Sequence, residues 1–393
     1  MRYARRSIEP GVLAALKQFP AVVLTGPRRT GKTWMLRRLL PKASYVLLED
    51  PDLVARLRAD PQGFLDGLRL PAILDEIQHV PELFAYVRAR IDREPRRVGR
   101  WVLTGSQEAP LMQGVSESMA GRAAIFQLLP LSTRESPKVS LRLGGFAEVV
   151  ARPSAAGLWF SSYVQAYLER DVRAVTMVRD LATFRRFLGL LATRHGQLLN
   201  RTELAAPLGV SVPTISEWMG VLETTGQILV VPPYYENAGK RLVKSPKVYI
   251  TDSGLACHLL GIESARDLDR SPFLGALFEG FVIAEIVKRQ TAAGRRRAVY
   301  HFRDEQGLEV DVVVPGVDRV WLVECKAGRT VTPAMATSLQ RLARALRATA
   351  APSLPVEACL VHRPPRAGTV TTAVAPGVSA LSWEAFLTRF DRH

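Results

Sequence analysis

The chain has 393 residues, too many for one ordinary core, with 47% hydrophobic and 23% charged residues, a composition that argues for two or three soluble globular domains. Its apolar runs stop short of the ~20 residues a membrane span needs, and its three scattered cysteines, Cys257, Cys325 and Cys359, support neither a disulfide framework nor a zinc knuckle. A net charge of +16 and a pI near 10.2 point to a polyanionic partner, nucleic acid first, because bound cations release condensed counterions.

The start is basic (Arg2, Arg5, Arg6) and runs into an amphipathic stretch rather than an apolar signal core, so a cytoplasmic location and no membrane partner are expected. Residues Ala21–Thr25 (AVVLT) are short, apolar and β-branched, which predicts a buried strand. A helix follows over 33–40 and Pro41 stops it. Further strands are expected at 45–48, 72–74 and Trp101–Thr104, with helical patterns between them. That alternation predicts an α/β first domain over 1–135, a parallel sheet covered on both faces.

Between the first strand and helix stands Gly26-Pro27-Arg28-Arg29-Thr30-Gly31-Lys32-Thr33, a complete G-x-x-x-x-G-K-[ST] phosphate-binding loop in its required strand-to-helix context. The glycines let successive backbone N–H groups converge on phosphates, and the helix start adds its positive dipole end. Lys32 is placed for the β- and γ-phosphates of ATP, and Thr33 for one magnesium position. The apolar strand Ala72-Ile73-Leu74 ends in Asp75-Glu76. Asp75 is expected to hold Mg2+ through water and Glu76 to polarise the attacking water, a pairing that favours hydrolysis over kinase chemistry. Ser106 or Gln107, past the strand Trp101–Thr104, is a candidate γ-phosphate sensor. Arg122 is a candidate arginine finger, acting in cis or in trans from a neighbouring copy.

Residues 136–195 read as a helical connector, with Phe160, Tyr163, Val164, Tyr167 and Leu168 on one stripe. Residues 196–262 read as a winged helix: a short helix, a turn at Gly209, a second helix capped by Ser211, then a strand and a hairpin tipped by Asn237-Ala238-Gly239. Arg241, Lys244 and Lys247 on the wing are candidate phosphate contacts.

Residues 263–393 form a further α/β unit, with a helix over 273–289, strands at 298–302, 309–314, 320–325 and Val356–His362, and a helix over 332–347. Asp311, Glu324 and Lys326 lie on adjacent strands, where i and i+2 share a face. Glu279 on the preceding helix completes the set, with Glu285 as the alternative. Carboxylates around a divalent metal with a nearby lysine are the working parts of restriction-like nucleases.

The phrases GPRRTGKT, ILDEIQ, LTGSQ and AGRAAIFQLLPLS resemble a group of prokaryotic AAA-type ATPases whose C-terminal half is catalogued as domain of unknown function 4143. YLERDV, VYITDSGLACHLLG and ALFEGFVIAEI resemble that second half. The resemblance implies an AAA-like core, a winged helix and a restriction-endonuclease-like C-terminal fold. It also places Arg122 in a motif that recurs near the nucleotide. The leading expectation is a magnesium-dependent ATPase that engages nucleic acid, DNA above all. The alternatives are a nucleotide-dependent switch for a protein partner, and a DNA nuclease regulated by ATP. A homo-oligomer is compatible with each.

Overall fold

The computed structural model describes residues 4–105, 118–168, 181–234, 244–349, 354–364 and 372–392. Five parallel strands, β1 (Ala21–Thr25), β2 (Ser44–Leu47), β3 (Ala72–Asp75), β4 (Trp101–Thr104) and β5 (Ala123–Gln127), form the first sheet in the order β2-β3-β4-β1-β5. Alternation along β1 sends Ala21 and Val23 into one core and Val22 and Leu24 into another. Helices close both faces, with Phe84 and Val87 on one side and Met35 and Leu36 on the other. Burial on two faces is why these strands read as unbroken apolar runs. β4 lies between β1 and β3, so the carboxyl ends of three strands share one edge, where ligands of such sheets bind.

The middle of the chain contains the helices Ala156–Tyr163 and Leu181–Thr193, then Arg201–Ala205 and Val212–Thr224. A three-stranded antiparallel sheet follows, of β6 (Gln197–Leu198), β8 (Lys247–Ile250) and β7 (Ile228–Val231). Ser211 caps Val212–Thr224 by accepting from the Thr214 N–H. Phe160, Phe187, Trp218, Ile228 and Ile250 belong to one hydrophobic core, so the connector helices and the helix-and-strand unit pack as one body. The hairpin tip at 237–239 and Arg241 lie outside the described residues.

The last sheet is mixed, in the order β13-β14-β12-β11-β10-β9. β9 (Tyr300–Arg303), β10 (Glu309–Pro315) and β11 (Val320–Lys326) run antiparallel, and β12 (Val356–His362) and β14 (Val378–Ser382) run parallel to β11 and to each other. The long helix Leu274–Ala292 and the closing helix Trp383–Phe390 cover one face, and Thr337–Thr349 covers the other. Leu274–Ala292 is buried nearly all round, Glu285 and Lys288 included, because it is wedged between this sheet and the first domain. β13 (Ala373–Ala375), β14 and the closing helix were not anticipated from sequence. Among the described residues, no helix is long and apolar enough to cross a membrane.

Candidate active site

The loop between β1 and the helix Lys32–Leu39 has two left-handed positions that suit glycine and one that does not. Gly31 has φ 91°, and Gly26 has φ 140°. A β-carbon at position 26 would also lie 2.2 Å from the Leu128 carbonyl oxygen, so strand packing as well as backbone conformation demands glycine there. Arg29 adopts φ 63° without that freedom, a local strain held by its surroundings. Those surroundings are specific. Thr30 Oγ1 donates to the Pro27 carbonyl at 2.9 Å. Buried Arg6 donates to the Thr30 carbonyl at 2.8 Å and pairs with Glu135 at 3.2 Å. Pro27 abuts Gly226 of the middle body, where a β-carbon would come within 3.1 Å of the proline ring. Lys32, at the first turn of the helix, donates to the carbonyls of Gly26 and Pro27 at 3.0 and 3.1 Å, which holds its ammonium inside the loop.

The carboxyl end of β3 meets this loop directly. Thr33 Oγ1 donates to Asp75 Oδ2 at 2.6 Å, and the Tyr45 hydroxyl donates to the same oxygen at 2.7 Å. Burial and the bond to Asp75 push the Tyr45 phenol well above its ordinary value, so it remains a donor. Asp75 is 1% exposed, and its Oδ1 is buried without a hydrogen-bond partner. A buried carboxylate oxygen in that state suits a cation, and the Thr33 hydroxyl beside it offers a second oxygen, so the residues fit magnesium. Glu76 sits at φ 58°, a strained conformation for a residue of its size, and Gln78 Nε2 donates to its carboxylate at 2.5 Å. Glu49 and His79, not singled out from sequence, stand beside it. The ligand atoms of Glu49, Glu76 and His79 lie within 4.8 Å of one another, and His79 is 3.3 Å from Glu49.

This geometry agrees with what the chain is similar to. An AAA domain family matches residues 18–136, a domain of unknown function (DUF8612) matches 136–266, and another (DUF4143) matches 274–364. The uncharacterised protein Rv2008c of Mycobacterium tuberculosis is 34% identical over 349 residues, covering 86% of this chain and 77% of the relative. The same figures hold for Mb2031c, an uncharacterised protein of Mycobacterium bovis. The chain belongs to the AAA-type P-loop ATPases that carry a C-terminal DUF4143 domain. Among solved structures, a Walker-type ATPase of Pyrococcus abyssi covers 66% of this ATPase and 96% of itself at 17% identity and TM-score 0.41. The RuvB branch migration motor of Thermotoga maritima covers 57% and 86%, at 17% identity and TM-score 0.29. Both scores are too low to bear on activity.

Other expected residues of the ATPase fall differently. Ser106 and Gln107 lie outside the described residues. Arg122 precedes β5, and β5 runs parallel to β1 with Ala123 opposite Ala21. The guanidinium therefore stands at the amino edge of the sheet, roughly 16 Å of strand away from the loop that follows Thr25, beyond the reach of one side chain. Of the two alternatives, cis and trans, this register speaks against the first. Arg122 instead forks onto Asp92 at 2.6 and 3.1 Å, a bond that lowers the Asp92 carboxyl from its usual range.

In the C-terminal body Glu279, Asp311, Glu324 and Lys326 do converge, with an unexpected occupant. Lys247, on β8 of the middle body, sends its ammonium among them, 3.0 Å from Glu279, 2.9 Å from Glu309 and 3.8 Å from Asp311. Its side chain is 4% exposed, so the expectation that it meets phosphates from the wing is overturned. Of the other cations expected to meet phosphates, Lys244 is exposed and Arg241 lies outside the described residues. The Tyr249 hydroxyl also donates to Glu279. Asp311 Oδ2 accepts from the Cys325 N–H at 2.8 Å, and Lys326 pairs with Glu324 at 2.6 Å. Burial, then the neighbouring Asp311, raises Glu279 to about 8 and Glu324 to about 7. Burial alone would lower Lys247, but Glu279, Asp311 and Glu309 outweigh it and keep the ammonium charged. Glu285 faces the other way. It accepts from the Thr133 N–H and hydroxyl at 3.0 and 2.6 Å and pairs with Lys288 and Arg289, tying the long helix to the first domain.

Proposed function

We propose that this protein hydrolyses magnesium-bound ATP, with Glu76 polarising the attacking water, and that the nucleotide state controls its engagement of nucleic acid, DNA in preference. One observation carries the hydrolytic reading: Thr33 and Asp75 are hydrogen-bonded at 2.6 Å, one Asp75 oxygen is left buried and unpartnered, and Glu76 follows at the same strand end. Lys32 would leave the Gly26 and Pro27 carbonyls for the β- and γ-phosphate oxygens, while the loop amides and the helix start hold the rest of the triphosphate. Magnesium, held by Thr33 and Asp75, would neutralise phosphate charge. Glu76 then accepts a proton from water as the γ-phosphoryl leaves.

The nucleic-acid part is supported by the net charge of +16. The coupling part is supported by the loop itself, since Pro27 lies against Gly226, and Arg6 links Thr30 to Glu135. Arg122 serves a neighbouring copy in this reading, which requires assembly through the amino edge of the sheet. Phosphate release with Lys32→Ala and Glu76→Gln tests the hydrolytic step. Lys32→Ala is expected to lose turnover and Glu76→Gln to retain ATP while losing turnover. A wild-type rate in Glu76→Gln would remove that residue from the mechanism. Gel shifts on single-stranded, duplex and branched DNA, with and without ATP, test the rest. Binding should weaken steeply with salt, and no binding at low salt would leave the ATPase a switch for a protein partner.

A further inference from the structure

The carboxylates of the C-terminal sheet meet a cation that comes from another part of the chain. Glu279 projects from the long helix and Glu309 and Asp311 from β10, and the Lys247 ammonium is drawn in among all three from β8. On the next strand Glu324 is 8% exposed, and its Oε2 is buried without a hydrogen-bond partner, so the pocket retains an unsatisfied acidic oxygen. A divalent ion in such a place needs several of these oxygens at about 2.0–2.6 Å. Among the described residues, however, only Glu49, Glu76 and His79 bring three ligand atoms within 4.8 Å of one another; no such trio forms around Lys247. The ammonium takes the same oxygens at hydrogen-bond distance, and a unit positive charge there repels a second cation.

We propose that Lys247 is the resident cation of this pocket and competes directly with divalent metal for Glu279 and Asp311. The carboxylates then act as an ionic socket joining the middle body to the C-terminal domain, not as a metal-dependent cutting centre. Sequence features that match a nuclease site persist here with the metal's position filled by the protein itself. The ATP chemistry plays no part in this inference, and its test is run with the nucleotide site disabled.

Mn2+ binding is measured by electron paramagnetic resonance on the full chain carrying Lys32→Ala, and only the component lost on adding Asp311→Asn is counted. With Lys247 present that component should be absent. With Lys247→Ala one Mn2+ per chain should bind in an Asp311-dependent way, because an uncompensated buried acidic pocket recruits a counter-ion. Removing the ammonium also risks unfolding, so Lys247→Ala/Glu309→Gln, with one acidic charge fewer and both Glu279 and Asp311 intact, carries the same measurement. Equal Asp311-dependent affinity with and without Lys247 overturns the proposal. So does a folded variant lacking Lys247 that binds no Mn2+. Magnesium-dependent DNA cutting by the wild-type chain that disappears in Asp311→Asn overturns it as well.

Discussion

Two buried lysines organise the two ends of this ATPase, and they differ in what holds them. Lys32 donates to the Gly26 and Pro27 carbonyls, neutral dipoles of its own loop. Lys247 is gripped by carboxylates from two elements of another domain. Exchanging carbonyl dipoles for a triphosphate gains charge for an ammonium. Exchanging carboxylates for anything else leaves buried negative charge behind. In the proposed reading identical chemistry thus yields a ligand-binding group at one site and a structural counter-ion at the other, and the partners decide which.

The sharpest way to break this contrast is to make the same substitution at both positions. Lys32→Met should reduce phosphate release by more than a hundredfold, on the scale of lost transition-state donors, while leaving the denaturation midpoint almost unmoved. Lys247→Met should do the reverse, costing ~3–5 kcal/mol of stability as its acids lose their partner. Urea titrations paired with phosphate-release assays separate the two, and equal stability losses would erase the distinction. Next in size is Arg122. Arg122→Ala should lower turnover by about a hundredfold if its guanidinium completes a neighbour's site. Mixing it with Lys32→Ala should then restore activity, because an intact loop in one copy meets an intact arginine in the other. Failure to complement would leave Arg122 a surface partner of Asp92.

A smaller effect sharpens the C-terminal half of the comparison. Glu279 and Glu324 are raised above 4.5, to about 8 and about 7. The folded protein therefore keeps protons that the unfolded chain releases, so this contribution is full below pH 4.5 and is lost as pH climbs through 7 to 8. His195 and His301, held near 4 by burial, work in the opposite direction only below 6.5. Between pH 6.5 and 8.5 the melting temperature should fall with rising pH, and Glu279→Gln should flatten the slope.

The geometry of the candidate nucleotide site was legible because its chemistry is local. Eight consecutive residues set the loop, and Asp75-Glu76 announce themselves at a strand end. What the sequence hid was long-range. Arg122 falls in a motif, but only the parallel register of β5 on β1 says that it stands at the far edge of the sheet from its own phosphate-binding loop. Lys247 read as a wing cation because its acids are distant in the chain. A signal was present, since Lys247 and Tyr249 share one face of an otherwise apolar strand, an arrangement that asks for buried polar partners. The choice between Glu279 and Glu285 was also open to geometry. Six residues turn a helix by ~240°, so the two could never serve one pocket, and the structure sends one to the sheet and the other to Thr133.

The smallest expected effect tests how finely the nucleotide site is tuned. Tyr45 and Thr33 share Asp75 Oδ2, and the phenol's role is to orient a carboxylate whose other oxygen is unpartnered. Tyr45→Phe keeps the ring and removes one hydrogen bond, worth ~0.5–1.5 kcal/mol. Because Tyr45 acts through Asp75 and not on the water, KM for magnesium-ATP should rise by about two- to tenfold while kcat holds. A fall in kcat at constant KM would instead link the phenol to the step proposed for Glu76, through the strained turn joining Asp75 to Glu76.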